Sequence, residues 1–512
     1  MSERLEFIIL HTNDLHSAFE AMPRIRTLFR AYEREQPPER LLRFDIGDHM
    51  DRMRLETEGT LGQANMDVLL ATGYDAVVPG NNEGLTFTAE MLDELYARAA
   101  FPVLAANLVR ISGGGSGGTA GGVAAGDSEA DAAAAGDSDL AAPRTRRPSW
   151  LNPSVVLERA GVRFGLVGLT AAFDPFYKEL GWRATDPLEA AAAEAARLRN
   201  DQAADVVVAL SHLGLSYDRR LAESQAFDLV LGGHTHHVFE ELQVIGDTYV
   251  GAAGKLGSHV GVVRLELDAR TRRIVRCEGG ARTLADVEPD AELERLIRDR
   301  AAAAERTLER VVAELDRPLP IELDRESPLG NLLAAALRRH CDADIGIVNA
   351  GQLLGGLERG PVTAAKLHAV CPSPINPCFM LLRGDRILEA LEQSLDPAYT
   401  HRAIRGFGFR GERLGTLCFD GVAVTTAEDG TGRRRVAEAK VGGEPLSPDR
   451  LYRVGTIDMF TFRVGYESLA DGTSVSYRLP EFLRDLLADA LTSPERDRYL
   501  DDACRTRFDR LP

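Results

Sequence analysis

The stretch ILHTNDLHS, residues 9–17, decides the fold of this chain. It begins inside a short apolar run, residues 7–10, that predicts a β-strand, and Asp14 and His16 follow almost at once. Side chains at the carboxyl end of a buried strand are well placed to build a site. One Asp-x-His triplet is more often a turn with a surface histidine, so the interpretation depends on the rest of the chain.

The same pattern recurs through the first half of the chain. Further apolar runs occupy residues 41–46, 76–79, 102–105, 163–169, 206–210 and 228–231, and turns and helical stretches separate them. Strands that alternate with helices predict an α/β layered domain with buried sheets.

Four more clusters of ligand-type residues end these predicted strands: Asp45-Ile46-Gly47-Asp48, Gly80-Asn81-Asn82-Glu83, Ser211-His212 and Gly232-Gly233-His234-Thr235-His236. Strand ends converge on one rim of a sheet, so we expect these side chains to meet. Carboxylate, imidazole and amide donors suit Mn, Zn, Fe or Co, and the lack of thiolates argues against a structural zinc site. Two neighbouring metals need a shared carboxylate, and Asp48 is the natural bridge.

Composition limits the class of partner. The chain has 512 residues, enough for two or three domains, and a formal net charge of -18. That charge argues against nucleic-acid polymers and anionic membranes. No apolar run approaches the roughly 18 residues of a membrane span. The run at residues 7–10 is too short for a signal peptide, so we expect a cytoplasmic protein. The six cysteines include no CxxC pair and are expected to be reduced.

Three changes in composition divide the chain. Residues 113–139 are a Gly/Ala/Ser/Asp tract that predicts a flexible surface insertion, which we bound at 110–148. Residues 290–315 favour one long helix, because Ala, Glu and Arg dominate and Gly and Pro are missing. We therefore predict a first domain at 1–285, a connecting helix at 286–315 and a second domain at 316–512. The second domain should contain strands at 344–351, 379–384 and 451–457, with a helix at 385–395.

The order D-x-H, G-D, G-N-x-E, S-H and G-H-x-H resembles the calcineurin-like metallophosphoesterases. The opening ILHTNDLHS, the ANL at residues 106–108 and the second domain narrow the resemblance to the 5′-nucleotidase family, which includes UDP-sugar hydrolases and cyclic-nucleotide phosphodiesterases. This resemblance implies a four-layer αββα sandwich that a helix joins to a smaller α/β substrate domain. It also implies two divalent metals and in-line attack of water on phosphorus. One metal would be held by Asp14, His16, Asp48 and His236, and the other by Asp48, Asn81, His212 and His234.

The third motif departs from the family. Relatives place a histidine where this chain has Asn82, and an aspartate that orients it where this chain has Leu85. Asparagine can donate a hydrogen bond but cannot act as a general acid. We predict Asn82 and Asp48 as the catalytic residues, and His49 or a metal-bound water is an alternative source of a proton.

The second domain departs as well. The resemblance implies a substrate-binding arginine at the end of N-G-G-x-I-R, and here that position is Leu354. The family's nucleobase clamp has no evident second phenylalanine in this chain. We predict Asn349, Gly351, Asn376 and Phe460 as substrate-binding residues. Packing in the core remains the alternative for Phe460 and for its neighbour Phe462.

These patterns predict an enzyme that hydrolyses a phosphate ester or phosphoanhydride of a small metabolite, such as a nucleotide, in nucleotide catabolism. Hydrolysis of cyclic nucleotides or other phosphodiesters is the alternative within the same class. A weakly catalytic metal-binding protein that senses a ligand is the alternative outside it.

Overall fold

The structure is a computed structural model that describes residues 3–112 and 144–510. The predicted insertion at 113–139 lies outside the described residues. The strands of the first domain are β1 (Arg4–Thr12), β2 (Leu41–Asp45), β3 (Ala76–Val77), β4 (Val103–Leu104), β5 (Leu108–Ser112), β6 (Arg144–Arg146), β7 (Leu151–Asn152), β8 (Ser154–Arg159), β9 (Val162–Thr170), β10 (Trp182–Ala184), β11 (Val206–His212), β12 (Leu229–Gly232), β13 (Gln243–Ile245), β14 (Thr248–Ala252), β15 (His259–Asp268) and β16 (Ile274–Thr283). Its helices are α1 (Met22–Glu35), α2 (Leu55–Thr60), α3 (Gln63–Thr72), α4 (Asn81–Thr86), α5 (Ala89–Tyr96), α6 (Asp174–Glu179), α7 (Pro187–Asn200), α8 (Leu215–Glu223) and α9 (Ala291–Leu308).

Two large sheets build the first domain. Over the described residues, one has seven strands in the order β16-β15-β1-β2-β3-β4-β7, and the other has six in the order β13-β14-β12-β11-β9-β8. Strands β1, β2 and β3 run parallel, as do β9, β11 and β12. Each parallel set therefore brings its carboxyl ends to one edge of its sheet.

The sheets pack face to face between two layers of helices. Along β1, Phe7 and Ile9 enter the core between the sheets, whereas Ile8 and Leu10 enter the core on the opposite face, which Ile25 and Phe29 of α1 complete. Successive strand residues point to opposite faces, so apolar runs with no polar positions fit a sheet covered on both sides. The predicted four-layer αββα sandwich is confirmed.

The flanks of the predicted insertion are ordered strands, so its bounds of 110–148 are too wide. Strand β5 pairs antiparallel with both β10 and β6. Arg147 donates to the carbonyls of Ala105 and Leu108 at 2.5 and 2.8 Å. Polar residues near Gly-rich sequence predict a loop, and here pairing with β10 overrides that local preference.

Removing residues 113–143 is expected to leave the enzyme intact. Ser112 and Arg144 are paired residues of β5 and β6, so a two-residue Asn-Gly turn can join them. We expect turnover within about twofold of the natural value and an unchanged or slightly higher melting temperature, because loop length alone changes stability little. A collapse of either quantity would show that the tract packs against the enzyme.

The connecting helix is shorter than predicted. Helix α9 begins after Asp290, whose side chain caps it by accepting from the backbone N–H of Glu292 and Leu293, but it ends at Leu308 rather than at residue 315. Residues Val311–Leu315 form a strand that pairs with Gly360–Thr363 of the second domain. Val311 and Val312 are β-branched and favour that strand once a partner is present.

The second domain carries the predicted strands and helix. Its strands are β17 (Val311–Leu315), β18 (Ile345–Asn349), β19 (Gly360–Thr363), β20 (Pro377–Arg383), β21 (Leu417–Asp420), β22 (Val422–Glu428), β23 (Arg434–Val441), β24 (Glu444–Pro445), β25 (Leu451–Ile457), β26 (Thr473–Tyr477) and β27 (Phe508–Arg510). Its helices are α10 (Pro328–His340), α11 (Ala364–Val370), α12 (Gly384–Gln393), α13 (Pro397–Thr400), α14 (Asp458–Thr461), α15 (Leu483–Thr492) and α16 (Arg496–Ala503). Among the described residues, β21-β18-β25-β20-β26 form the central sheet of this domain.

A buried ion pair joins the two domains. Glu58 of α2 accepts from Arg52 at 2.7 Å and from Arg484 of the second domain at 2.8 Å. Both guanidinium groups also lie over the ring of Phe482, at 4.7 and 4.5 Å from its centroid. These contacts fix the position of the second domain beside the first.

No helix within the described ranges is long and apolar enough to cross a membrane.

Candidate metal centre

All seven predicted metal ligands lie at strand ends on one side of the sandwich. Asp14 and His16 follow β1, Asp48 follows β2, and Asn81 begins α4 shortly after β3. His212 ends β11 of the other sheet, and His234 and His236 follow β12. The structure therefore brings the ends of both parallel strand sets together, as the order of the motifs predicts.

The donor atoms form two groups. Asp14, His16 and His236 offer one set of ligand atoms within 4.8 Å of one another, and Asp48, His212 and His234 offer another. In the first group the Nε2 atoms of His16 and His236 face each other at 3.4 Å. In the second, the amide oxygen of Asn81 lies 3.3 Å from Nε2 of His212.

Asp48 belongs to the second group and also faces the first. Its Oδ1 is 3.2 Å from Nε2 of His212, and its Oδ2 is 3.9 Å from Nε2 of His16. Each carboxylate oxygen thus faces one group, which is the arrangement that a bridging ligand requires.

Five of the seven ligand residues have left-handed backbone conformations. The φ angles are 52° for Asp14, 45° for His16, 52° for Asp48, 70° for His234 and 58° for His236. Such conformations are unfavourable for residues other than glycine, and they persist where the surrounding structure determines them and function uses them.

Backbone hydrogen bonds hold these loops in place. Glu83 is fully buried and accepts from the N–H groups of Asp48, Gly80 and Met50 at 3.1, 2.6 and 2.7 Å. It therefore ties the second motif to the third. Gly80 is needed for this approach, because a Cβ atom there would overlap Asp48.

A backbone carbonyl fixes the ring of His212. Its Nδ1 lies 2.7 Å from the carbonyl oxygen of Ile46, which makes Nδ1 the donor and leaves Nε2 free to coordinate. The N–H of His234 donates to Asp14 at 2.9 Å, which connects the two sheets across the site.

The electrostatic environment of the clustered carboxylates and imidazoles favours a bound cation. Burial raises the Asp48 pKa, but the charges of His212 and His16 and the hydrogen bonds from His212 and Asn82 together outweigh burial and lower that pKa. Burial lowers the His212 pKa, yet Asp48 raises it to about 10. Carboxylates and imidazoles packed this closely need positive charge among them, which protons or metal ions can supply.

The donor set fits divalent metals. Oxygen and nitrogen donors converge from both sheets, two imidazole nitrogens face each other, and a carboxylate lies between the groups. Mixed N/O sites of this kind suit Mn, Zn, Fe or Co.

Asn82 faces the first group. Its Nδ2 lies 3.0 Å from Nδ1 of His16 and 3.2 Å from the carbonyl oxygen of Met50, while its backbone N–H donates to Asp48 at 2.8 Å. The amide is thus next to a predicted ligand.

His49 does not face the site. It is fully buried, with Nδ1 3.0 Å from Asp45 and Nε2 3.0 Å from the hydroxyl of Tyr96. Both ring nitrogens are occupied in supporting the second motif, so His49 is not placed to protonate a leaving group.

Asn349 and Gly351 lie in the interior of the second domain. The Asn349 amide donates to the carbonyl of Leu414 at 2.6 Å and accepts from Gln352 at 3.0 Å. A Cβ atom on Gly351 would overlap the carbonyl oxygen of Arg413, so glycine permits close packing there.

Asn376 and Phe460 are buried as well. Asn376 donates to the carbonyl of Glu481 at 2.8 Å. Phe460 is completely buried against Tyr466, at 6.1 Å between ring centroids, which favours the core-packing alternative. The exposed phenylalanine of this segment is Phe462.

A cleft of about 530 Å³ opens between the domains. Met53, Arg54, Leu55 and Glu56 line it from the first domain, and Leu354, His368, Ala369, Pro372 and Arg410 line it from the second. Leu354 is 48% exposed, at the position where the resemblance implies an arginine. Arg410 lies in the Arg- and Gly-rich segment 402–413, whose composition gave no motif to single it out.

An exposed aromatic surface pairs Phe462, which the sequence offered as a candidate beside Phe460, with Phe407, which the sequence analysis missed. Phe407 and Phe462 are 54% and 41% exposed, and their ring centroids are 5.7 Å apart. Phe462 stacks on Phe176 of the first domain at 5.8 Å, and Phe173, three residues earlier, contacts the ring of His234 at 6.0 Å. In the sequence, the only indication of this surface was a pair of phenylalanines in Gly-rich or polar segments.

The αββα sandwich and the paired donor groups together define a metallophosphoesterase. The calcineurin-like phosphoesterase family matches residues 7–238, and the 5′-nucleotidase C-terminal domain family matches residues 311–467. The uncharacterized metallophosphoesterase YunD of Bacillus subtilis (strain 168) is 35% identical over 493 residues, which cover 95% of this chain and 99% of that protein. The 5′-nucleotidase of Mus musculus is 24% identical and covers 76% of this chain and 72% of its own length.

Solved structures agree with the fold. The NAD nucleotidase of Haemophilus influenzae has a TM-score of 0.65 at 16% identity and covers both chains completely. A 5′-nucleotidase precursor from Thermus thermophilus has a TM-score of 0.55 at 21% identity and covers 99% of each chain. The chain belongs to the calcineurin-like metallophosphoesterases that carry a 5′-nucleotidase C-terminal domain. Members of this superfamily use divalent metals, and the protein is a phosphoesterase, hence a hydrolase.

Proposed function

We propose that the protein hydrolyses a phosphoanhydride or an activated phosphate ester of a small metabolite, a nucleotide or nucleotide derivative. Two divalent metals, chosen among Mn, Zn, Fe and Co, serve as cofactors. The observation that carries this proposal is the position of Asp48 between two convergent groups of donors. Substrate enters from the interdomain cleft.

Divalent metals bound there supply Lewis acidity toward phosphoryl oxygens and lower the pKa of an attacking water. The protein's own groups position the substrate. The Asn82 amide lies next to His16 and cannot transfer a proton to the leaving group. Departure of the leaving group must therefore depend on the stability of its anion or on charge supplied from elsewhere.

The exposed rings of Phe407 and Phe462 support a nucleotide as substrate. Large exposed aromatic faces suit the stacking of a nucleobase. The contacts from His234 through Phe173 and helix α6 to Phe462 connect this surface to the donor cluster. In this proposal Phe462 takes the role that sequence assigned to Phe460.

Activity profiling tests the proposal. The Mn²⁺-loaded protein is assayed against nucleoside monophosphates, nucleoside diphosphate sugars, dinucleoside polyphosphates, cyclic nucleotides, sugar phosphates and an aryl phosphate. We expect anhydrides and the aryl phosphate to rank first. Preference for cyclic nucleotides would identify a phosphodiesterase, and ligand binding without turnover on any substrate would identify a sensor.

The leaving group should control the rate. Because Asn82 provides no acid, turnover should fall steeply along a series of esters with rising leaving-group pKa. Asn82→His combined with Leu85→Asp, three residues along the same helix face, restores an oriented acid. We expect the double variant to gain up to roughly 10²-fold on alkyl esters and little on aryl esters.

Leu85→Asp alone is the control for packing, since Leu85 contacts the hydrophobic core. Flat rates across the series for the natural protein, or an equal gain by the double variant on every ester, would contradict the leaving-group explanation.

A further inference from the structure

Arg410 reaches from the second domain to the edge of the donor cluster. Its Nη2 donates to Oδ2 of Asp51 at 2.8 Å, and that same oxygen lies 3.9 Å from Nδ1 of His16. Asp51 is buried, and its other carboxylate oxygen accepts from the N–H of Met53 at 2.8 Å. One end of the guanidinium group is thus fixed beside a predicted metal ligand.

The rest of the guanidinium group is weakly engaged. Nε faces the sulfur of Met53, a poor acceptor, and Nη1 makes a long 3.3 Å contact with the carbonyl of Phe409. The side chain is 26% exposed and lines the interdomain cleft. Its remaining N–H groups can therefore bind an anion in the cleft, for which the planar guanidinium group is well suited.

The surroundings make Arg410 the cation available to such an anion. Among the described residues that line the cleft, Arg410 is the one arginine of the second domain. Arg54, the arginine that lines it from the first domain, is paired with two carboxylates, Glu20 and Glu56. By contrast, over the described part of the chain Arg410 is paired with Asp51 alone. Leu354 cannot bind an anion.

We propose that Arg410 binds the leaving phosphate of a phosphoanhydride substrate while the donor cluster holds the phosphoryl group that is transferred. This inference rests on the proposed function. Water adds to phosphorus, the bond from phosphorus to the bridging oxygen breaks, and its electron pair stays on the departing phosphate. The proton lost by the water passes to solvent. Arg410 neutralises the charge on that phosphate, which replaces the protonation that Asn82 cannot provide.

Substitution at Arg410 tests this assignment. Arg410→Ala should lower kcat/KM for a nucleoside diphosphate sugar by roughly 10²-fold and change that for p-nitrophenyl phosphate, whose leaving group carries no phosphate, by less than about threefold. Arg413→Ala is the matched control, since Arg413 lies in the same loop and pairs with Asp324 at the surface. Equal losses on both substrates, or no loss on either, would overturn the assignment.

A second variant separates charge from local packing. Asp51→Asn weakens the anchor but keeps the Arg410 charge, so the preference for the diphosphate over the aryl substrate should remain. Loss of that preference in Asp51→Asn, at unchanged metal content, would show that Arg410 acts only as part of the domain contact.

Calorimetric binding measurements test the Arg410 assignment independently of turnover, and so of the proposed function. The Mn²⁺-loaded natural protein should bind methylenediphosphonate more than tenfold tighter than methylphosphonate, and Arg410→Ala should remove this difference. A natural protein that hydrolyses none of the substrates but shows the difference contradicts only the proposed function. Equal affinities in the natural protein contradict the Arg410 assignment.

Discussion

Replacing Asp48 with asparagine should remove most of the bound metal and lower turnover by roughly 10³-fold or more, because both metals lose a shared anion worth several kcal/mol. The substitution preserves the shape of the side chain. Asparagine tolerates the left-handed backbone at φ 52°, and its amide oxygen can still accept from the N–H of Asn82. The loss should therefore come from charge and not from folding. Metal content is measured by elemental analysis after Mn²⁺ loading and desalting, and turnover is measured on the same sample.

Asp342→Asn is the matched control. Asp342 also has a left-handed backbone, at φ 48°, but its side chain is 95% exposed and pairs with Arg453. The Asp342→Asn protein should keep full metal content and activity. An Asp48→Asn protein that retains two metals per chain would contradict the bridging role.

The second large effect concerns stability. Glu58→Ala should cost about 3–5 kcal/mol in the free energy of unfolding, because it leaves the buried Arg52 and Arg484 without their carboxylate. The midpoint of urea unfolding measures this loss. Glu322→Ala, which removes an exposed pair with Arg325, should change stability by less than about 1 kcal/mol.

The same ion pair should produce a pH dependence. Burial raises the Glu58 pKa, but Arg484 and Arg52 outweigh it and lower the pKa from 4.5 to about 2. A carboxylate with a lowered pKa stabilises the folded state above its unfolded pKa and loses that effect as it is protonated. Stability should therefore fall as the pH drops from about 4.5 to about 2, and this component should be missing in Glu58→Ala. If the stability of the variant fell with pH in the same way as that of the natural protein, Glu58 would not be the cause of this pH dependence.

The convergence of the seven predicted ligand residues could be predicted because their positions are local to each strand end. Asp14, Asp48 and His212 lie at the end of a buried strand or within three residues of it, and parallel strands necessarily bring such positions together. The left-handed backbones at Asp14, His16 and Asp48 could not be predicted, because residues distant in sequence impose them.

The substrate side could not be predicted in the same way. Arg410 and Asp51 are 359 residues apart, and their contact depends on how two domains dock. Within helix α14 and the residue after it, a shift of two positions decides whether Phe460 or Phe462 is exposed, and the composition of the segment does not distinguish them. The end of α9 could not be predicted for the same reason. The composition of residues 311–315 favours a helix, but these residues form a strand because they pair with Gly360–Thr363.

An anomalous difference map from crystals of the Mn²⁺-loaded protein tests the central claim most directly. We predict two peaks of similar height, roughly 3.5–4 Å apart, on either side of the Asp48 carboxylate. One should contact Asp14, His16 and His236, and the other Asn81, His212 and His234. A single peak, or no peak at these residues in a folded and fully loaded protein, would contradict the dinuclear account.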